Sequence, residues 1–95
     1  MAQVHKFEAP AELLKALAHP TRLCIVEGLM GGQCNVSKIQ ACLDIPQSTV
    51  SQQLSILRAK GIIEGRRQGT EVVYSVVNEK VKKIVRVLLE DPEGV

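Results

Sequence analysis

The sequence predicts a mainly α-helical fold carrying one β-hairpin, and three observations predict it. Apolar residues recur at helical spacing in four stretches before residue 60 and in one after residue 77. Between them, from residue 62, the period shortens to that of strands flanking a Gly-containing turn. Aromatic residues are only 2% of the chain against 45% hydrophobic, so the core must be built from Leu, Ile, Val and Ala. Such a core is thin at 95 residues, which make one domain, and oligomerisation is a common remedy.

Residues 1–8 read as a flexible N-terminal tail, 9–90 as the folded domain and 91–95 as a C-terminal tail. Pro10 suits a first helical position, and Leu13, Leu14 and Leu17 follow on one side of a first helix. His19-Pro20 breaks it, because proline removes a donor and restricts the residue before it. A second helix, "PTRLCIVEGLM", carries Leu23, Val26, Leu29 and Met30 and is stopped by Gly31-Gly32. In "NVSKIQACL", Asn35 can cap a third helix whose Val36, Ile39 and Leu43 face inward. "DIP" turns the chain into a fourth helix, 47–60, packed through Val50, Leu54 and Leu57 and punctuated by Gly61. Strands "IIEGRR" and "TEVVYSVV" form the hairpin, residues 62–77. Asn78 caps a last helix with Val77, Val81, Ile84, Val85 and Leu88 at helical spacing.

Net charge is +2 and the pI about 8.5, which permits a nucleic-acid partner without arguing for one. No apolar run has the length of a membrane span, and "MAQVHKFEAP" lacks the apolar core of a secretory signal. Three irregularly spaced cysteines fit a reducing compartment, so a cytoplasmic protein without membrane partners is expected.

The stretch "IPQSTVSQQLSILRAKGII" has an unusual polar face: it is crowded with Ser, Thr and Gln and uncharged until Arg58. With the preceding helix and the short turn, it has the dimensions of a helix-turn-helix, whose second helix enters the DNA major groove. A carboxylate there would repel phosphate, and a long cation would bind DNA anywhere along its length. Hydroxyls and amides reach phosphates and base edges, and a Gln can bond adenine twice. Gln47, Ser48, Thr49, Ser51, Gln52 and Ser55 are therefore candidate DNA contacts; the plainer reading is a solvated face that lacks charge.

A hairpin after a recognition helix is a wing. Arg66 and Arg67, read here as lying at its turn with Gln68 and Gly69, are placed to touch backbone phosphate or a minor groove. The alternative is edge-strand charge that discourages sheet pairing. Arg58 and Lys60, near the end of the recognition helix, can do either job. The apolar stripes of the first helix (Leu13, Leu14, Leu17) and the last (Val81, Ile84, Val85, Leu88) are expected at a homodimer interface, which would set two recognition helices one DNA turn apart. Otherwise both helices close over their own core.

"LLKALAHPTRLCIVEGL", "NVSKIQACLDIPQSTVSQQLSILRAKGII" and "RRQGTEVVYSV" together resemble the ArsR/SmtB family of winged-helix repressors across roughly residues 11–89. The resemblance implies a winged helix-turn-helix homodimer that binds operator DNA and releases it when an inducer, often a metal ion, binds. It places Gln47, Ser48, Ser51 and Gln52 at base- and phosphate-contacting positions and the wing arginines at flanking contacts.

The metal sites that the resemblance implies are not intact, and no cofactor is expected. Where the arsenic- and cadmium-type site has two cysteines around a Val, "CNVSKI" offers Asn35 and Ser37, with Cys34 one place away. The zinc-type site uses acids and histidines on the last helix, which here has no histidine and several lysines. His19 reads as a helix-start hydrogen bonder, and Cys24 and Cys42 as small buried hydrophobes beside Cys34, the expected exposed thiol. A thiol-based switch through a pair among Cys24, Cys34 and Cys42 stays open, as does a repressor without an inducer. An enzyme is not expected, because no phosphate loop, carboxylate pair or activated nucleophile is present. The serious alternative is a winged-helix module that binds protein instead of DNA; it should present an apolar recognition face, and this one is hydroxyls and amides.

Overall fold

The computed structural model describes residues 2–32 and 34–90. A 3-10 helix, Ala2–Phe7, leads directly into α1, Glu8–Leu17. The segment expected as a flexible tail thus has helical backbone over 2–7, which brings His5 Nδ1 to 3.1 Å from Glu8 Oε2. Pro10 is tolerated because it lies in the first turn of α1, where a missing N–H breaks no helical bond. The tail expected at 91–95 lies outside the described residues.

His19 opens α2, Pro20–Met30, by accepting the Thr21 N–H on its Nδ1 at 3.2 Å, with Pro20 at the first helical position. A two-residue strand, β1, Cys34–Asn35, precedes α3, Val36–Leu43, and Asn35 caps that helix from Lys38 N–H at 2.9 Å. Asp44 then takes a left-handed conformation (φ 58°), donating its N–H to the Gln40 carbonyl and turning the chain within three residues into α4, Gln47–Ala59. The end of α4 is closed by two bonds. Gly61 (φ 72°) donates to the Arg58 carbonyl and Ile62 to that of Leu57, a Schellman arrangement with both Leu57 and Ile62 fully buried.

Strands β2, Ile63–Gln68, and β3, Glu71–Val76, pair antiparallel from Ile63 opposite Val76 to Gln68 opposite Glu71. Gly69 (φ 67°) and Thr70 form the tip. β1 joins the other edge of β3, giving the order β1-β3-β2. Last comes α5, Glu79–Leu89, capped by Asn78 accepting from Val81 N–H at 3.1 Å. Helix α2 sits at the centre, packed on α1, α4, α5 and β3, and its Val26 is wholly buried. The buried core is aliphatic throughout and runs continuously from Leu17 through Val26, Leu54 and Ile63 to Val81.

Two expectations are corrected by this architecture. Leu17, Val81 and Val85, expected at a dimer interface, are 3%, 0% and 1% exposed in the chain's own core, because α1 and α5 both pack on α2. Leu13 and Ile84 are half-buried, whereas Leu14 and Leu88 remain 54% and 61% exposed. Arg66 and Arg67 do not lie at the turn. They are paired strand residues opposite Val73 and Val72, since Gln68 and Glu71 extend the ladder to the tip.

Candidate nucleic-acid interface

The interface is built outward from α4. Val50, Leu54 and Leu57 are at most 2% exposed and anchor one side of the helix on the core. The remaining positions follow from the 3.6-residue period. Gln47, Ser48, Ser51, Gln52 and Ser55 are exposed along the opposite side, with Thr49 half-buried at its margin and Arg58 exposed in the last turn. No Asp or Glu occurs in α4, and no side chain caps its N-terminus. The uncapped helix end carries partial positive charge, which suits it to phosphate. Every candidate contact on this helix thus presents a hydroxyl, an amide or a guanidinium to solvent.

The polar residue Gln53 behaves differently from its neighbours. It is half-buried and accepts a hydrogen bond on Oε1 from Arg22 Nη1 at 2.8 Å, while Arg22 Nε donates to the Ala16 carbonyl at 2.6 Å. At the other end of α4, Lys60 Nζ lies 3.1 Å from Glu12 Oε1 of α1. The hydrogen bond and charge of Lys60, with a smaller contribution from Lys15, hold the exposed Glu12 carboxyl below its ordinary range.

In the wing, alternate residues face opposite sides of the ribbon. Arg66 shares a face with Glu64, and its exposed Nη2 lies 3.2 Å from the half-buried Glu64 carboxylate. Arg67 is on the other face and has no carboxylate partner among the described residues. Gln68 is exposed beside the tip. Gly65 lies opposite Tyr74, and a Cβ placed there would come within 3.0 Å of both the Tyr74 ring and Val72. Beside the tip, Asn35 Nδ2 donates to the Glu71 carboxylate at 3.1 Å, which links that end of the ribbon to the cap of α3.

The sequence-predicted DNA residues therefore fall into two groups, one along α4 and one on the wing, all but Thr49 exposed. Arg22, Gln53, Glu12 and Lys60 were not singled out as a set, although "HPTRL" and "QQLS" hold two of them; only the tertiary packing brings them together. Cys24 is exposed and not a packed hydrophobe, since α2 turns Ile25 and Val26 inward instead. The side chains of Cys34 and Cys42 lie outside the described residues. Among the described residues, no three His, Cys, Asp or Glu side chains gather as metal ligands would, and no helix is long and apolar enough to cross a membrane.

The family model described as "Bacterial regulatory protein, arsR family" matches residues 19–64, from the cap of α2 to the start of β2. The transcriptional repressor PagR of Bacillus anthracis is 48% identical over 82 residues, spanning 85% of this chain and 82% of that protein. Its crystal structure aligns with a TM-score of 0.81 at 45% identity, over 90% of this chain and 98% of that one. A biofilm growth-associated repressor of Agrobacterium fabrum is 41% identical over 78 residues, 82% of this chain and 67% of that protein. Reduced HlyU from Vibrio cholerae aligns with a TM-score of 0.84 at 31% identity, covering 93% and 94% of the two chains. A winged helix-turn-helix with a carboxylate-free second helix, matched over nearly its whole length by such repressors, belongs to the ArsR family of DNA-binding transcriptional repressors.

Proposed function

We propose that the chain works as a homodimer on an inverted-repeat operator, with each α4 in a major groove and each wing on the flanking backbone. The observation that carries this reading is the exposed face of Gln47, Ser48, Ser51, Gln52 and Ser55. It combines hydrogen-bonding capacity with the absence of any carboxylate, as direct base readout requires. The dimer is supported by apolar surface left on the first and last helices. Phe7, Leu14, Val87 and Leu88 are all more than half exposed, and Leu13 and Ile84 border the groove between α1 and α5. Two copies joined there would cover these side chains and orient two recognition helices by a twofold axis.

The test is fluorescence anisotropy with the DNA upstream of the protein's own coding region, against random DNA of equal length. Preference for the upstream DNA, with two chains bound per site, is the expected result. No preference would favour the winged-helix module that binds protein. Repeating the titration with an oxidant, and then with zinc, cadmium and arsenite, tests release by an inducer. The exposed Cys24 makes a thiol-reactive species the first to try.

A further inference from the structure

We infer that Arg22 is a positioning residue that fixes the orientation of α4 relative to α1, and so the aim of the base-reading face. The inference rests on the reading that α4 enters the major groove.

The guanidinium holds two elements at once. Its Nε donates to the Ala16 carbonyl in the last turn of α1, one of the terminal carbonyls that have no partner inside their own helix. Its Nη1 donates to the side chain of Gln53. A planar, rigid fork sets the angle between such partners in a way that a flexible ammonium does not. Gln53 follows Gln52 directly, so any rotation of α4 about its axis that moves the one moves the other. Gln53 is half-buried toward Arg22 while Gln52 is exposed. The bond therefore acts on the side of the same helical turn, about 100° round from Gln52. The exposed Lys60–Glu12 pair gives α4 a second link to α1, at its far end. Surface pairs of that kind hold geometry weakly, which leaves the half-buried Arg22 fork as the main polar constraint. Because α1 also carries the exposed Leu14, the chain of contacts runs from the apolar outer surface of α1, through Ala16 and Arg22, to the recognition helix.

The experiment compares wild type, Gln53→Ala, Gln53→Glu and Arg22→Lys by anisotropy on upstream and random DNA, with the folded fraction checked by thermal denaturation. Gln53→Ala removes only the α4 end of the bridge and should lower the preference for upstream DNA roughly tenfold, leaving random-DNA affinity and its salt dependence unchanged. Gln53→Glu keeps an acceptor for Arg22 and should retain most of the preference. Arg22→Lys loses the fork and should behave like Gln53→Ala; it carries the same test should Gln53→Ala fold poorly. Preference unchanged in Gln53→Ala and Arg22→Lys would overturn the positioning role. So would a larger loss in Gln53→Glu than in Gln53→Ala, since a carboxylate is worse than alanine only where the side chain itself meets DNA. A wild-type chain with no preference for upstream DNA would remove the operator-binding reading first, and this inference with it.

Discussion

The two candidate DNA-contacting regions solve opposite problems. Helix α4 presents amides and hydroxyls, stays uncharged until Arg58, and is tied to the body of the protein by Val50, Leu54 and Leu57 below and by Arg22 at the side. The wing presents its guanidinium groups on β2, an edge strand of the three-stranded sheet that is exposed from Gly65 to its end. Neutral hydrogen-bonding groups discriminate among bases only when held in register, whereas a cation attracts any phosphate from many orientations. The difference teaches why the rigid element carries the neutral residues and the projecting one the charged residues. Specificity needs a fixed frame; non-specific affinity does not.

The sharpest way to break this contrast is to loosen the frame. Leu54→Ala, directly beneath the exposed face, should cost ~2–5 kcal/mol of stability by denaturant unfolding and blunt sequence preference before it abolishes binding to random DNA. In the wing, Gly65→Val drives a branched side chain into Tyr74 and Val72. A loss of ~1–3 kcal/mol in unfolding free energy is expected, with the α4 contribution to specificity left in place. Gln52→Ala should weaken specific binding by ~1–3 kcal/mol and relax one base position; equal losses on both DNAs would end its assignment to base reading.

Arg67→Ala should weaken binding to all sequences alike and lower the salt slope by about 1. Arg66→Ala should change that slope less, since Glu64 already neutralises part of its charge. The smallest effect belongs to the Glu12–Lys60 link. The folded-state pKa of Glu12 is lowered, so the pair contributes stability that is fully present above the ordinary carboxylate range and is lost as pH falls through the depressed value. Glu12→Gln should lower the neutral-pH melt slightly, leave the acid melt unchanged, and so remove that acid dependence.

How much of this was legible in the sequence depends on whether a feature is periodic. The four helices before the wing, the hairpin and α5 all announce themselves by apolar spacing, and the caps at His19, Asn35 and Asn78 lie where the sequence puts them. β1 was invisible because two residues carry no period; Cys34–Asn35 is a strand only because β3 supplies an edge. An apolar stripe also does not say what it packs against. Leu17, Val81 and Val85 share their stripes with Leu14 and Leu88, yet the first three meet α2 and the others meet solvent. Arg66 and Arg67 fall on the ladder and not at the turn, because Gly69-Thr70 alone suffices to turn the ribbon. The bridge through Arg22 spans 31 residues of chain, and no local pattern encodes it.

The close fit of Tyr74 over Gly65 has an optical consequence. The chain contains 1 tyrosine and no tryptophan, so its near-ultraviolet emission comes from the wing and not from the helical body. That ring covers the strand opposite it, and its signal reports the state of the ribbon without any added label. Quenching on DNA that leaves the α4 contacts intact would register wing engagement as a separate event, timed against the arrival of the recognition helix.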